Sequence, residues 1–390
     1  WNIIEYWFPY RDQIDAELDV VLREFLPRFA AADTWDAYRL ELFALAAHIQ
    51  DGHANMWRQI KIRPPVGECA WPVEIRFLEG KAFVAAYTDS AAGPASGLEI
   101  GDVIMSLDGV ALDQLLEEWT PYYCASNEPS LLKDLARGMS RGDCGPGRVG
   151  IERQGKKLTV NVERVEVARM NVAPADRAGD TFQLLSPDVG YLKLSSVTIK
   201  EVPDYLKKAA GTRGLVIDIR NYPSEFMVFA LGSRLVDEPT AFARFTKGDP
   251  ANPGTFVWTD PVELEPEMPG YDGKVVILVN ETSMSQAEYT AMALRAGPRA
   301  MVVGSTTAGA DGNVSQIPLP GGLKLMMSGI GVFYPDKTPT QRVGIVPDVV
   351  VWPTIAGTVA GRDEVLEAAL REILGEEVDE QVIREMAVRP

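Results

Sequence analysis

The chain has 390 residues, 46% of them apolar and 24% charged, proportions ordinary for a globular protein of two or three domains. It carries 38 Lys and Arg against 55 Asp and Glu, a formal net charge of −17. That excess of carboxylates argues against nucleic acid and anionic membrane surfaces as partners, because both need clustered cations. The absence of any run of 18 apolar residues argues against membrane insertion.

The first 60 or so residues read as helical. Ile14, Leu18, Val21, Leu22, Phe25 and Leu26 recur at helical spacing, and a second periodic stretch runs from Trp35 to about Ile49. It stops at Asp51-Gly52, and Pro64-Pro65 then marks a boundary. The beginning at Trp1 reads as an excision from a longer chain. From about 67 to 167 short alternating stretches predict strands, among them Val73–Phe77 and Leu158–Val162. Between them, Gly97-Leu98-Glu99-Ile100-Gly101-Asp102-Val103-Ile104 reads as an apolar hook, a turn and a strand. From about 168 onward apolar strands alternate with helical segments. Gly214–Arg220 and Lys274–Val279 are buried-strand patterns, which predicts βαβ units, and residues 362–387 close the chain with an acidic helix.

Three cysteines occur, Cys69, Cys124 and Cys144, with no CxxC pair, so a zinc or redox motif is not expected. One disulfide is possible, but its partners do not follow from the spacing. Two histidines, His48 and His53, exclude a histidine-rich metal centre. The glycine-rich stretches Gly304–Gly312 and Gly344–Asp348 fit neither a Walker A loop nor GxGxxG. Neither a metal nor an organic cofactor is expected.

The most informative segment for chemistry is Asn280-Glu-Thr-Ser-Met-Ser285-Gln-Ala-Glu288, between an apolar strand and a helix. A serine there sits where free N–H groups and the helix dipole favour a developing negative charge. The same letters also spell a capping box, Ser285-x-x-Glu288, which is an ordinary helix start. A nucleophilic serine needs a base. His53 follows a helix end on a turn, whereas His48 lies inside the periodic stretch and reads as a packed histidine. Asp218-Ile-Arg-Asn-Tyr-Pro-Ser224 leaves the end of a strand, where α/β sheets place ligand-contacting loops.

In order along the chain, Asp51-Gly52-His53, the PDZ-like Gly97-Leu98-x-x-Gly101-Asp102, Asp218-x-Arg220-Asn221 and Ser283-x-Ser285-x-x-Glu288 resemble the C-terminal processing (tail-specific, tricorn-type) serine protease family. Thr307-x-Gly309 and Gly344-x-x-Pro347-Asp348 extend the resemblance, which covers roughly residues 40 to 355. It implies an α/β (α+β overall) fold in three parts. These are an N-terminal helical region at 1–66, a PDZ-like domain at 67–167 and a ClpP/crotonase-like protease core at 168–390. It implies Ser285 as nucleophile and His53 as base, because the lysine of the Ser–Lys branch is replaced by Gly309-Ala310-Asp311. Gln341 stands where the tricorn-type branch has the glutamate that orients the base, with Asp51 and Asp348 as other possibilities. The N–H groups of Gln286 and of Ser224, or else of Glu225, would hold the oxyanion, since Pro223 has none to give. Gly97, Leu98 and Tyr222 are the candidate substrate contacts.

The function so implied is a serine endopeptidase acting on unfolded or C-terminal polypeptide tails, exported to the periplasm or cell exterior. Its partner would be the polypeptide substrate. The alternatives are a catalytically weak protein on the same fold that holds peptide or apolar ligands, and a crotonase-like acyl-transfer enzyme. The last would bind a coenzyme A thioester, for which no basic cluster is evident.

Overall fold

The computed structural model describes residues 1–170, 176–375 and 377–388. Near the N-terminus two helices, Leu18–Ala31 and Trp35–Ala47, pack through Val21, Phe25 and Ala44. Thr34 caps the second, its hydroxyl accepting the Ala37 N–H at 3.1 Å. His48 ends that helix and meets Phe25 edge-on at 5.4 Å, so it is a packed histidine. The helical region buries its apolar side against a distant hairpin, Val314–Leu319 with Leu323–Ser328. Phe8, Tyr10, Phe43, Ala46 and Met56 share one cluster with Ile317, Leu325 and Met327.

The next unit is an eight-stranded antiparallel sheet between Cys69 and Glu166. Its edge strand Val73–Leu78 is unpaired on one side among the described residues, and the helix Glu128–Met139 lies across from it. Asn127 caps that helix, while Leu135, Ala136 and Met139 join the core of this unit. Cys69 and Cys144 form a disulfide, which resolves the pairing the spacing left open, and Cys124 is a buried free thiol.

The Gly97–Gly101 hook buries Leu98 and leaves Gly97, Glu99 and Ile100 exposed. Leu98 is 1% exposed in the core of this unit, and the Gly97 carbonyl accepts Arg153 Nη2 at 2.9 Å. Arg153 also grips the buried Asp102 carboxylate with Nε and Nη2, both at 2.6 Å. Gly97 and Leu98 are therefore part of a structural clasp. Of the two candidate substrate contacts, Leu98 spends its side chain on the core, while Gly97 is exposed.

The third unit is built on a six-stranded sheet. From one edge its strands are Val349–Val350, Ala300–Gly304, Lys274–Val279, Gly214–Asp218, Val189–Lys193 and Phe182–Ser186. All neighbours are parallel except the last pair. Period-two alternation splits its side chains between two cores. Leu215, Ile217, Val275, Ile277 and Val279 face the helices Val202–Ala209, Val228–Gly232 and Gln286–Arg295. Val216, Val276 and Leu278 face the helices Glu364–Leu374 and Glu380–Ala387. A sheet covered on both faces needs continuous apolar strands, as these are. No helix among the described residues is long and apolar enough to cross a membrane.

Candidate active site

Ser285 is the N-cap of the helix Gln286–Arg295, with φ 58° and ψ −120°. A non-glycine residue in that region is strained, and the surroundings must hold it there. They do so through two bonds from one N–H: to the Ala310 carbonyl at 2.9 Å and to Glu288 Oε2 at 3.1 Å. Glu288 is fully buried, and its carboxylate also accepts the Thr307 hydroxyl at 2.5 Å and the N–H groups of Gly309 and Ala310 at 2.8 and 3.1 Å. Burial pushes the Glu288 carboxyl above its ordinary value, and these donors oppose that push. The capping box is thus present, and it is also what sets the serine in a strained elbow.

The Asp51-Gly52-His53 turn reaches this elbow through Gly52. A Cβ placed on Gly52 would lie 3.1 Å from both Met284 Cε and Ala310 Cβ. Met284 precedes Ser285, and Ala310 is its hydrogen-bond partner, so a side chain at position 52 would press on both sides of the elbow. No hydrogen bond joins Ser285 to His53 among the described residues. Such bonds are commonly loose before substrate binds.

His53 is 5% exposed, and its Nδ1 lies 2.9 Å from the Ser328 hydroxyl. Asp51 Oδ1 is 3.8 Å from the same nitrogen, too far for a direct hydrogen bond. Asp51 is fully buried and takes four donors: the Ser328 N–H at 2.7 Å, the Ser328 hydroxyl at 3.0 Å, the His53 N–H at 3.1 Å and Gln341 Nε2 at 3.3 Å. Burial pushes the imidazole below its ordinary value, and the Asp51 charge works against that.

The third-residue expectation needs revision. Gln341 does not touch His53; its amide nitrogen bonds Asp51 and, at 3.3 Å, the Ser126 hydroxyl. Ser126 in turn accepts the Gly52 N–H at 2.8 Å. Asp348 lies elsewhere, paired with Arg295 and the Val302 N–H. Of the named alternatives, Asp51 is the one beside the imidazole. Ser328 and Ser126 carried no signal, since each is a lone serine in an unremarkable stretch far along the chain.

One oxyanion donor is also corrected. The Ser224 N–H is spent on the Leu194 carbonyl at 2.9 Å, so it has no proton left for an oxyanion. Its neighbour Glu225 makes no N–H bond among the described residues. The Glu225 carbonyl accepts Gln286 Nε2 at 3.0 Å, which ties that loop to the start of the serine helix. The Gln286 N–H is in the first helical turn, where no intrahelical acceptor exists. Tyr222 stands on the same loop and is exposed. Arg220 anchors the loop from below, bonded to Asp218 and Asp363.

A groove of about 880 Å³ runs between the edge strand Val73–Leu78 and the helix Glu128–Met139. Glu281 and Thr282, from the segment leading to Ser285, line it, and Arg76 on the edge strand pairs with Glu281 at 3.0 Å. Among the described residues no cluster of His, Cys, Asp and Glu is arranged to hold a metal ion.

Residues 188–351 match Peptidase family S41. A carboxyl-terminal-processing protease from a Picosynechococcus species is 26% identical over 265 residues, 66% of this chain. The match spans 57% of that relative's length. The structure of mature CPAF complexed with lactacystin superposes with a TM-score of 0.71 at 13% identity, covering 98% of this chain and 96% of the other. The photosystem II D1 C-terminal processing protease gives 0.51 at 16% identity, covering 97% and 96%. At these identities the two structures speak for the fold. Residues 188–351 thus carry a Peptidase family S41 domain, and the chain is similar to a carboxyl-terminal-processing protease.

Proposed function

We propose that the protein is a serine endopeptidase that cleaves unfolded or C-terminal polypeptide segments through an acyl-enzyme on Ser285. The observation that carries this reading is the strained Ser285 elbow at a helix N-terminus, with the His53 turn packed against it through Gly52. His53 Nε2 takes the Ser285 proton as the hydroxyl attacks the peptide carbonyl, then gives it to the leaving amine. The N–H groups of Gln286 and Glu225 hold the oxyanion, with Glu225 replacing Ser224 for the reason given above. Asp51 and Gln341 act around the base and not on substrate. Substrate reaches Ser285 along the Tyr222 loop.

The unit at 67–167 is read as a PDZ-like domain. Its unpaired edge strand and facing helix suit an extended peptide that adds to the sheet. Export fits the Cys69–Cys144 disulfide, since such bonds persist in oxidising compartments. A second reading, a peptide- or apolar-ligand-binding protein of low activity, is favoured by the mainly apolar groove and by the Ser224 N–H being occupied.

Casein cleavage by wild type, Ser285→Ala and His53→Ala decides between them. Cleavage by wild type and loss of at least about 10³-fold in both variants is expected. Folded wild type that cuts nothing and retains peptide or lipid on purification supports the binding reading.

A further inference from the structure

The anionic partner of a catalytic histidine ordinarily bonds the imidazole directly. Here a hydroxyl stands between them. Ser328 Oγ lies 2.9 Å from His53 Nδ1 and 3.0 Å from Asp51 Oδ1, while the direct Nδ1 to Oδ1 distance is 3.8 Å. All three residues are buried, so water does not substitute for the hydroxyl.

Proton counting fixes the direction of this chain. Asp51 receives four donors and is an acceptor throughout. The single Ser328 hydroxyl proton therefore points at Asp51. Its oxygen is left with lone pairs only toward the ring, so Nδ1 must carry the ring proton. Nε2 is then unprotonated, which is the form a general base requires. Gln341 completes the arrangement: its amide nitrogen faces Asp51, where an amide oxygen would repel it.

Given His53 as the base, we propose that Ser328 is a positioning residue through which Asp51 fixes the tautomer of His53 and stabilises its imidazolium. In the acylation step the Ser285 proton moves to Nε2. The imidazolium keeps its Nδ1 proton, donated to Ser328, and Ser328 keeps its own, donated to Asp51. No proton travels past the ring. The backbone secures the geometry, since the Ser328 N–H bonds Asp51 Oδ2 at 2.7 Å and the Met326 N–H bonds the Asn55 carbonyl at 3.0 Å. The hairpin is thereby pinned to both ends of the histidine turn.

The test compares Ser328→Ala, Ser328→Thr, Asp51→Asn and His53→Ala in the full chain, with kcat and KM on a casein-derived peptide from pH 5 to 9. Fluorophosphonate labelling of Ser285 serves as a second readout. Ser328→Ala is expected to lower kcat about 10- to 100-fold with KM little changed. It should also move the acid limb to lower pH, because the imidazolium loses its link to the Asp51 charge. Ser328→Thr, which keeps the hydroxyl, restores most of the rate. Asp51→Asn is expected to cost about 10³- to 10⁴-fold. A merely structural Ser328 lowers thermal stability without moving the acid limb, and that result overturns the proposal. If Ser328→Ala does not fold, an unmoved acid limb in Asp51→Asn overturns it. If His53→Ala keeps wild-type rates, the base assignment itself has failed, which the other variants distinguish.

Discussion

The Glu288 carboxylate reaches back one turn to the N–H of Ser285, at 3.1 Å, and with its other oxygen holds Thr307 and Gly309. A single buried side chain thus sets both the serine elbow and the loop whose Ala310 carbonyl receives the same N–H.

Replacing Glu288 with Ala leaves those donors unmet in a dry interior. A stability loss of about 3–5 kcal/mol is expected. Glu288→Gln is expected to cost less stability, yet still to slow fluorophosphonate labelling of Ser285 about 100-fold or more, since an amide nitrogen must face a donor. Urea denaturation together with labelling rates checks both statements.

Gln341 offers a sharper test of where the negative charge belongs. The family resemblance suggests that a glutamate at this place would improve the enzyme. The geometry says the opposite, because Gln341 Nε2 donates to Asp51 at 3.3 Å. Gln341→Glu brings two carboxylates together, and one must take up a proton. The expected outcome is a loss of about 10-fold or more in kcat/KM at pH 7, recovering in part toward lower pH. A more active variant would show that Asp51 is not the charge that serves His53.

Asp311 makes stability fall as pH rises. It is buried, and its Oδ2 has no partner among the described residues. Burial first, and then the Glu288 charge, push its carboxyl well above the ordinary 3.8. The unfolded chain releases this proton at lower pH than the folded chain does. The native state therefore binds more protons above pH 3.8, and its advantage declines with pH. Glu288 acts in the same sense. Asp311→Asn, which cannot titrate, is expected to be about 1–2 kcal/mol more stable at pH 8 and to show little gain near pH 4. Chemical denaturation at several pH values reads this out. His53 runs the other way: burial lowers it, so the unfolded state holds its proton longer, and stability is lost as pH falls below the ordinary 6.5.

Reduction of Cys69–Cys144 opens a loop of 75 residues. On the chain-entropy account this costs about 4 kcal/mol. The expected reading is a lower urea midpoint for the 67–167 unit in dithiothreitol, with fluorescence of its buried Trp71 and Trp119 as probes.

Much of this arrangement was legible in the letters. Gly214–Arg220 and Lys274–Val279 announced central strands because a strand buried on both faces is apolar throughout. The helix start at Ser285 and the turn before His53 were legible from local chemistry, while their catalytic reading came from the family resemblance. What the letters concealed depends on side chains that meet across the fold. Ser328 ends an alternating strand like any other serine, and only the hairpin's docking on the N-terminal helices carries it to His53. Ser224 looked available because a sequence does not reveal that the Leu194 carbonyl has claimed its N–H. Leu98 gave no hint in its letters that its side chain would be spent on a core.

Ser328 and His53 are 275 residues apart in the chain. During synthesis His53 is made before the Ser285 elbow and Ser328 after it. The buried surroundings of His53 therefore close only after Ser328 has been made.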